Sequence, residues 1–99
     1  MKIETIKQDN QITLKLDGWL DTLAAPDLGA VVDGINAADA LVLDFEKVEY
    51  ISSSGLRQVV ACHRKAKELN ADFSIIHVGT ETMSIFQLTG LDKKISISE

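Results

Sequence analysis

Leu41-Val42-Leu43-Asp44-Phe45-Glu46-Lys47-Val48-Glu49-Tyr50-Ile51-Ser52-Ser53-Ser54-Gly55-Leu56-Arg57 begins with a nearly continuous apolar run and ends in three serines and a glycine. The run 41–45 is the signature of a strand buried on both faces. Downstream, Leu56, Val59, Val60, His63, Ala66 and Leu69 fall on one helical face, and Arg57, Arg64, Lys65 and Glu68 on the other. Cys62 falls on the inward side of the same helix, where a free cysteine acts as a small hydrophobe. A buried strand therefore feeds an amphipathic helix through a serine-rich turn.

Upstream of that unit, Ile3, Thr5 and Lys7 alternate with Glu4 and Ile6 as a strand, and Asp9-Asn10 signals a turn. Ile12, Leu14 and Leu16 alternate with Thr13 and Lys15 as a second strand that Gly18 and Asp21-Thr22 break, and the two strands form a hairpin. Leu23 to Ile35 carries Leu28, Val31, Val32 and Ile35 at helical spacing, with Pro26 tolerated in the first turn and Asp27 favourable there. Downstream, Phe73-Ser74-Ile75-Ile76 is another buried strand. Thr80 to Leu88 is a helix bounded by Gly79 and Gly90, and Lys94-Ile95-Ser96-Ile97 closes as a short strand. The alternation predicts right-handed crossovers. The expected architecture is α/β: one domain over residues 1–99, a mixed, mostly parallel sheet with an N-terminal hairpin, and three helices mainly on one face.

Ninety-nine residues suffice for one core, since a chain of this size buries somewhat over ~60% of its unfolded surface. Aromatics are only 5%, so that core is aliphatic. A formal charge of −5 argues against nucleic acid as a partner. A single cysteine excludes an internal disulfide and suits the cytoplasm. No run of ~18 apolar residues is present to insert in a membrane. No long apolar stripe is left over, so a monomer is expected.

Catalytic readings find no support. Centred on Ser53, the run Ile51-Ser52-Ser53-Ser54-Gly55 lacks the first glycine of a nucleophile elbow. His63 and His77 have no metal-ligand spacing with Cys62 or each other, and no phosphate-binding glycine loop occurs. The chain is not expected to be an enzyme, nor to hold a metal or cofactor. Two uses remain for the serines. They can cap the helix, or one hydroxyl can be phosphorylated where unpaired N–H groups and the helix dipole stabilise an anion. Asp21 and Asp44 each cap a turn or a helix, or stand near the serines on the sheet edge where parallel strands end. Arg57, Arg64, Lys65 and Lys67 form either a solvated face or a docking surface for an acidic partner.

The chain resembles the STAS domain, shared by sulfate transporters and bacterial anti-sigma factor antagonists. The resemblance rests on Gly18-Trp19-Leu20-Asp21, on Leu43 to Ile51, on Ser52-Ser53-Ser54-Gly55-Leu56, and on the late Gly79-Thr80 and Leu88-Thr89-Gly90-Leu91 segments. It implies a phosphorylation switch with the acceptor in a D-S-[ST]-G-L pattern, which falls on Ser53. Ser52 replaces the aspartate, which leaves open whether Ser52 or Ser54 substitutes as acceptor. The partner-binding residues implied are Asp21, Ser52, Ser54, Gly55, Leu56 and Arg57. The implied partner is an anti-sigma factor that is also a serine kinase. The unphosphorylated domain binds it and frees a sigma factor, phosphorylation ends the binding, and a serine phosphatase restores it. The alternative is a soluble STAS subunit that regulates a membrane transporter without phosphorylation.

Overall fold

The computed structural model describes residues 1–99. Its elements are β1 (Lys2–Gln8), β2 (Gln11–Leu20), α1 (Ala25–Asp33), β3 (Ala40–Ile51), α2 (Ser53–Glu68), β4 (Asp72–Ile76), α3 (Thr80–Thr89), a 3-10 turn (Leu91–Lys93) and β5 (Ser96–Ile97). The five strands lie in sequence order, β1-β2-β3-β4-β5. β1 is antiparallel to β2, through a turn whose Asp9 and Asn10 both take positive φ. All later pairs are parallel. The expected mixed sheet with its N-terminal hairpin and three helices is what the chain forms.

Sequential order puts the helices on one face. Each right-handed crossover moves the chain one strand further in the same direction, so α1, α2 and α3 fall on the same side. Ile12, Leu14 and Leu16 of β2, Leu41, Leu43 and Phe45 of β3, and Ile75 of β4 point into that side. They join Leu28 and Val32 of α1, Val59, Cys62 and Ala66 of α2, and Phe86 of α3 in one core. The opposite face of the sheet presents Glu4, Lys15 and Asp17. No helix is long and apolar enough to cross a membrane.

Several boundaries differ from the sequence reading. Gly18 does not end β2: at φ +117 it sits at a register shift, and the strand continues through Trp19, paired with Tyr50, to Leu20, paired with Ile51. β3 is likewise much longer than 41–45. Its second half has β2 alone as neighbour, because pairing with β4 ends at Asp44–Ile76, so Glu46, Lys47, Glu49 and Tyr50 are exposed and polar. α1 starts at Ala25, which leaves Leu23 outside the helix. The buried stripe of α2 is Gly55, Val59, Cys62 and Ala66. Leu56, Val60, His63 and Leu69 flank it, half-buried. The stripe begins with a glycine that has no apolar side chain to announce it. β5 shrinks to Ser96–Ile97 because the N–H groups of Lys94 and Ile95 bond back to the Leu91 carbonyl, at 3.0 and 2.9 Å, behind the 3-10 turn.

Candidate functional site

The ends of β2 and β3 lie side by side, so the loops into α1 and α2 share one edge. Leu20 and Ile51 are paired, and the Ser52 N–H donates to the Leu20 carbonyl at 3.0 Å. That contact brings Asp21-Thr22-Leu23 against Ser52-Ser53-Ser54.

The three serines do different work. Ser52 is the N-cap of α2: its Oγ accepts from the Gly55 N–H at 3.1 Å and donates to the Leu20 carbonyl at 3.4 Å. Aspartate is an equally good N-cap, so serine here preserves what the position does for the helix. Ser54 Oγ lies 3.1 Å from Thr22 Oγ1 and accepts from Arg57 Nη2 at 3.2 Å. Ser53, the first helical residue, is exposed, and its hydroxyl takes part in none of these bonds. The surrounding field suits an anion. α1 and α3 carry Asp27 and Glu81 in their first turns, whereas the first turn of α2 has no acidic residue. The positive end of its dipole therefore meets no carboxylate of the first turn.

Gly55 makes this arrangement possible. A Cβ there would overlap the Leu20 carbonyl oxygen and lie 2.8 Å from Ile51 Cγ1. Without it the first turn of α2 rests on the backbone of β2. Leu56 is half-buried against the core and Arg57 points outward.

Asp21 is half-buried and caps the turn into α1, its Oδ1 accepting from the N–H groups of Leu23 (3.1 Å) and Ala24 (3.0 Å). Asp44 keeps different company. It is 5% exposed, and its Oδ1 accepts from the Glu46 N–H at 3.0 Å and meets His77 Nδ1 at 2.9 Å. None of its partners belongs to the serine edge. The sequence reading missed Thr22, whose hydroxyl links the two loops. It also missed the exposed Trp19–Tyr50 pair, with ring centroids 5.1 Å apart, and Leu23, 86% exposed. The Trp19–Tyr50 pairing requires β2 and β3 to extend past Gly18 and Phe45, where local pattern ended them.

Burial pushes the Cys62 thiol up to about 11, against a smaller opposing effect from Gln58. His63 stacks on Phe73 with ring centroids 5.4 Å apart, and its pKa is lowered by burial and then by Lys67.

The chain matches the family model "Mlab, STAS domain" over residues 3–97, and it belongs to the STAS domain family. The anti-sigma-B factor antagonist of Staphylococcus aureus is 26% identical over 101 aligned positions, spanning 100% of this chain and 94% of that protein. The crystal structure of an anti-sigma factor antagonist from Mycobacterium paratuberculosis superposes with a TM-score of 0.82 at 29% identity, covering 98% of this chain and 84% of its own. A sulfate transporter family protein from Wolinella succinogenes superposes with a TM-score of 0.83 over 94% of this chain and 80% of its own. At 12% identity the latter likeness is one of fold alone.

Proposed function

We propose that this protein is a cytoplasmic anti-sigma factor antagonist that acts by binding rather than by catalysis. Unphosphorylated, it captures an anti-sigma factor that is also a serine kinase and so releases a sigma factor. Phosphorylation of Ser53 ends the capture, and a serine phosphatase restores it. The observation that carries the reading is the division among the hydroxyls: Ser52 and Ser54 are occupied, and Ser53 is exposed and uncommitted at the start of α2. The end-to-end similarity to the staphylococcal antagonist supports the choice of partner class.

The physical consequences suit a switch. A phosphoserine brings about −1.5 to −2 charges and three acceptor oxygens. At a helix N-terminus that anion costs the domain little and can gain ~0.3–1 kcal/mol. The Ser52 cap is untouched, so the fold persists. A partner that packed against a neutral hydroxyl meets a hydrated dianion instead, and losing ~3 kcal/mol there weakens binding roughly a hundredfold.

Intact-mass and peptide mass spectrometry of the protein from its native cells is the first test, with one phosphate on Ser53 as the expected result. The unphosphorylated chain then serves as bait for the kinase, and Ser53→Asp abolishes capture while holding Tm within a few degrees of the parent. Undiminished affinity of that variant refutes the switch at this position. Absence of phosphate under several growth conditions transfers the reading to the transporter-subunit alternative, with the serines left as a helix cap.

A further inference from the structure

A groove runs along α2 beside the end of α3. α2 packs against α1 on one flank but has no comparable packing with α3 on the other. The opening is lined by Leu56, Arg57, Val60 and Arg64 from α2, and by Thr89 and Leu91 on the far wall. Leu56, Val60 and Leu91 are half-buried and make an apolar floor. From residue 56 to residue 64 the α2 wall extends about 12 Å at ~1.5 Å per residue, enough to seat two turns of a helix.

The charge around that floor has one sign. Arg57 and Arg64 are exposed, and no carboxylate lines the groove. Neither arginine is in an ion pair; the one such pair in the molecule is His77–Asp44. This occurs on a chain of net charge −5. α2 carries Arg57, Arg64, Lys65 and Lys67 against Glu68 alone, so positive charge is concentrated on this helix. The helical repeat also sets Ser53, Arg57, Val60 and Arg64 on one stripe, at i, i+4, i+7 and i+11, so the groove leads away from the candidate acceptor.

We propose that the groove docks an acidic, amphipathic helical segment of a partner protein. The segment lays its apolar side on Leu56, Val60 and Leu91 and sets its carboxylates against Arg57 and Arg64. Arg57 couples the groove to Ser53, and this coupling rests on the phosphorylation reading above. Its guanidinium already donates to Ser54 Oγ at 3.2 Å, one helical turn from Ser53. A phosphate on Ser53 draws it away and leaves Arg64 as the groove's remaining cation.

The test is an amide-shift titration of the isotope-labelled, unphosphorylated chain. The probe is a capped synthetic peptide of about 14 residues, long enough for marginal helicity, with Leu on one face and Glu on its flanks. A matched peptide carries Lys for every Glu. The expected result is saturable shifts at Leu56, Val60, Arg64 and Leu91 with the acidic peptide and none with the basic one. Arg64→Glu weakens that binding about tenfold or more, and Ser53→Asp weakens it through Arg57. Arg64 is exposed and unpaired, so the dispersed spectrum of its variant verifies the fold. Equal response to both peptides, shifts centred elsewhere, or no response into the millimolar range overturns the proposal. Tighter binding of a single-stranded oligonucleotide at the same residues also overturns it, in favour of nucleic acid. No kinase enters the titration. A failed groove therefore leaves a Ser53 phosphate standing, and a missing phosphate leaves a filled groove standing.

Discussion

Gly55→Ala should destabilise this protein, against the usual effect of replacing glycine inside a helix. Alanine is favoured over glycine there by ~1 kcal/mol from propensity alone. At Gly55 the new methyl overlaps the Leu20 carbonyl oxygen and comes 2.8 Å from Ile51 Cγ1 and 3.0 Å from Leu20 Cγ. The obstacle is backbone at the end of a paired strand, so the first turn of α2 must move. Overpacking of this kind costs ~1–3 kcal/mol. The same movement lengthens the Ser52 N–H and Oγ–H bonds to that carbonyl, 3.0 and 3.4 Å, at ~1 kcal/mol. Set against the propensity gain, the net loss is about 2 kcal/mol. For a domain of this size, that lowers Tm by about 8–16 °C. Gly34→Ala is the internal control. Gly34 is the C-cap of α1 with φ −77, and its added Cβ meets no atom closer than 3.5 Å. It should stabilise by ~0.4–1 kcal/mol through the unfolded chain. Urea and thermal unfolding of the two variants beside the parent make the measurement. Opposite signs are expected. A Gly55→Ala protein as stable as its parent would refute the close approach of α2 to β2, and with it the account of how the serine edge is held.

Ser52→Ala removes the cap of α2 and should cost ~1 kcal/mol, whereas Ser53→Ala should leave the urea midpoint within error; equal losses would mean that Ser53 is also structural. Cys62, with its pKa raised by burial to about 11, should be thiolate in about one molecule per thousand at pH 8 and resist disulfide reagents until the chain unfolds. Labelling of the folded protein at the rate of free cysteine would contradict that burial. His63 has a lowered pKa in the folded state, from burial first and Lys67 second, so below its ordinary value of about 6.5 the unfolded chain binds the proton more readily. Stability linked to this residue should therefore decline as pH falls from about 7 through that value. The decline should be smaller in His63→Gln; a ring titration at the ordinary midpoint would remove the effect, and one above it would reverse the sign.

The order of elements was legible because it follows from local patterns, whereas the one-sided placement of the helices, expected only from the chain length, rests on the sequential strand order. Apolar alternation marked the hairpin and the 41–45 run marked the central strand, and the right-handed crossovers put all helices on one face once the strands are known to lie in sequence order. What escaped was set by tertiary contact. Nothing local says that Glu46 to Tyr50 stays extended, since its only neighbour is the end of β2 beyond the Gly18 irregularity. Val59, Cys62 and Ala66 were legible as the inward side of α2, but Gly55, where the stripe begins, was not, because its burial reflects an absent side chain. For the site, the serine-glycine turn marked the helix start and the resemblance pointed to Ser53, but neither gave the separate bonds of Ser52 and Ser54. The Thr22 contact spans 32 residues and has no local signature.

Placing the cap and the candidate acceptor on adjacent serines has a mechanical consequence for the proposed switch. If one hydroxyl did both jobs, phosphorylation would replace the Gly55 hydrogen bond with a bulky dianion and disturb the helix start that the partner must recognise. Here Ser52 holds Gly55 and the Leu20 carbonyl from the buried side, while Ser53 projects from the next position into solvent. Ser54 and Thr22 tie the α1 loop to the same turn, and Arg57 stands within one turn of the new charge. A phosphate on Ser53 therefore changes the electrostatics of the surface and the position of one guanidinium, and leaves the backbone beneath them where it was. The two states would share one fold and differ in what they can touch. That suits a signal read by a second protein and reset by a phosphatase, because neither passage requires the domain to unfold.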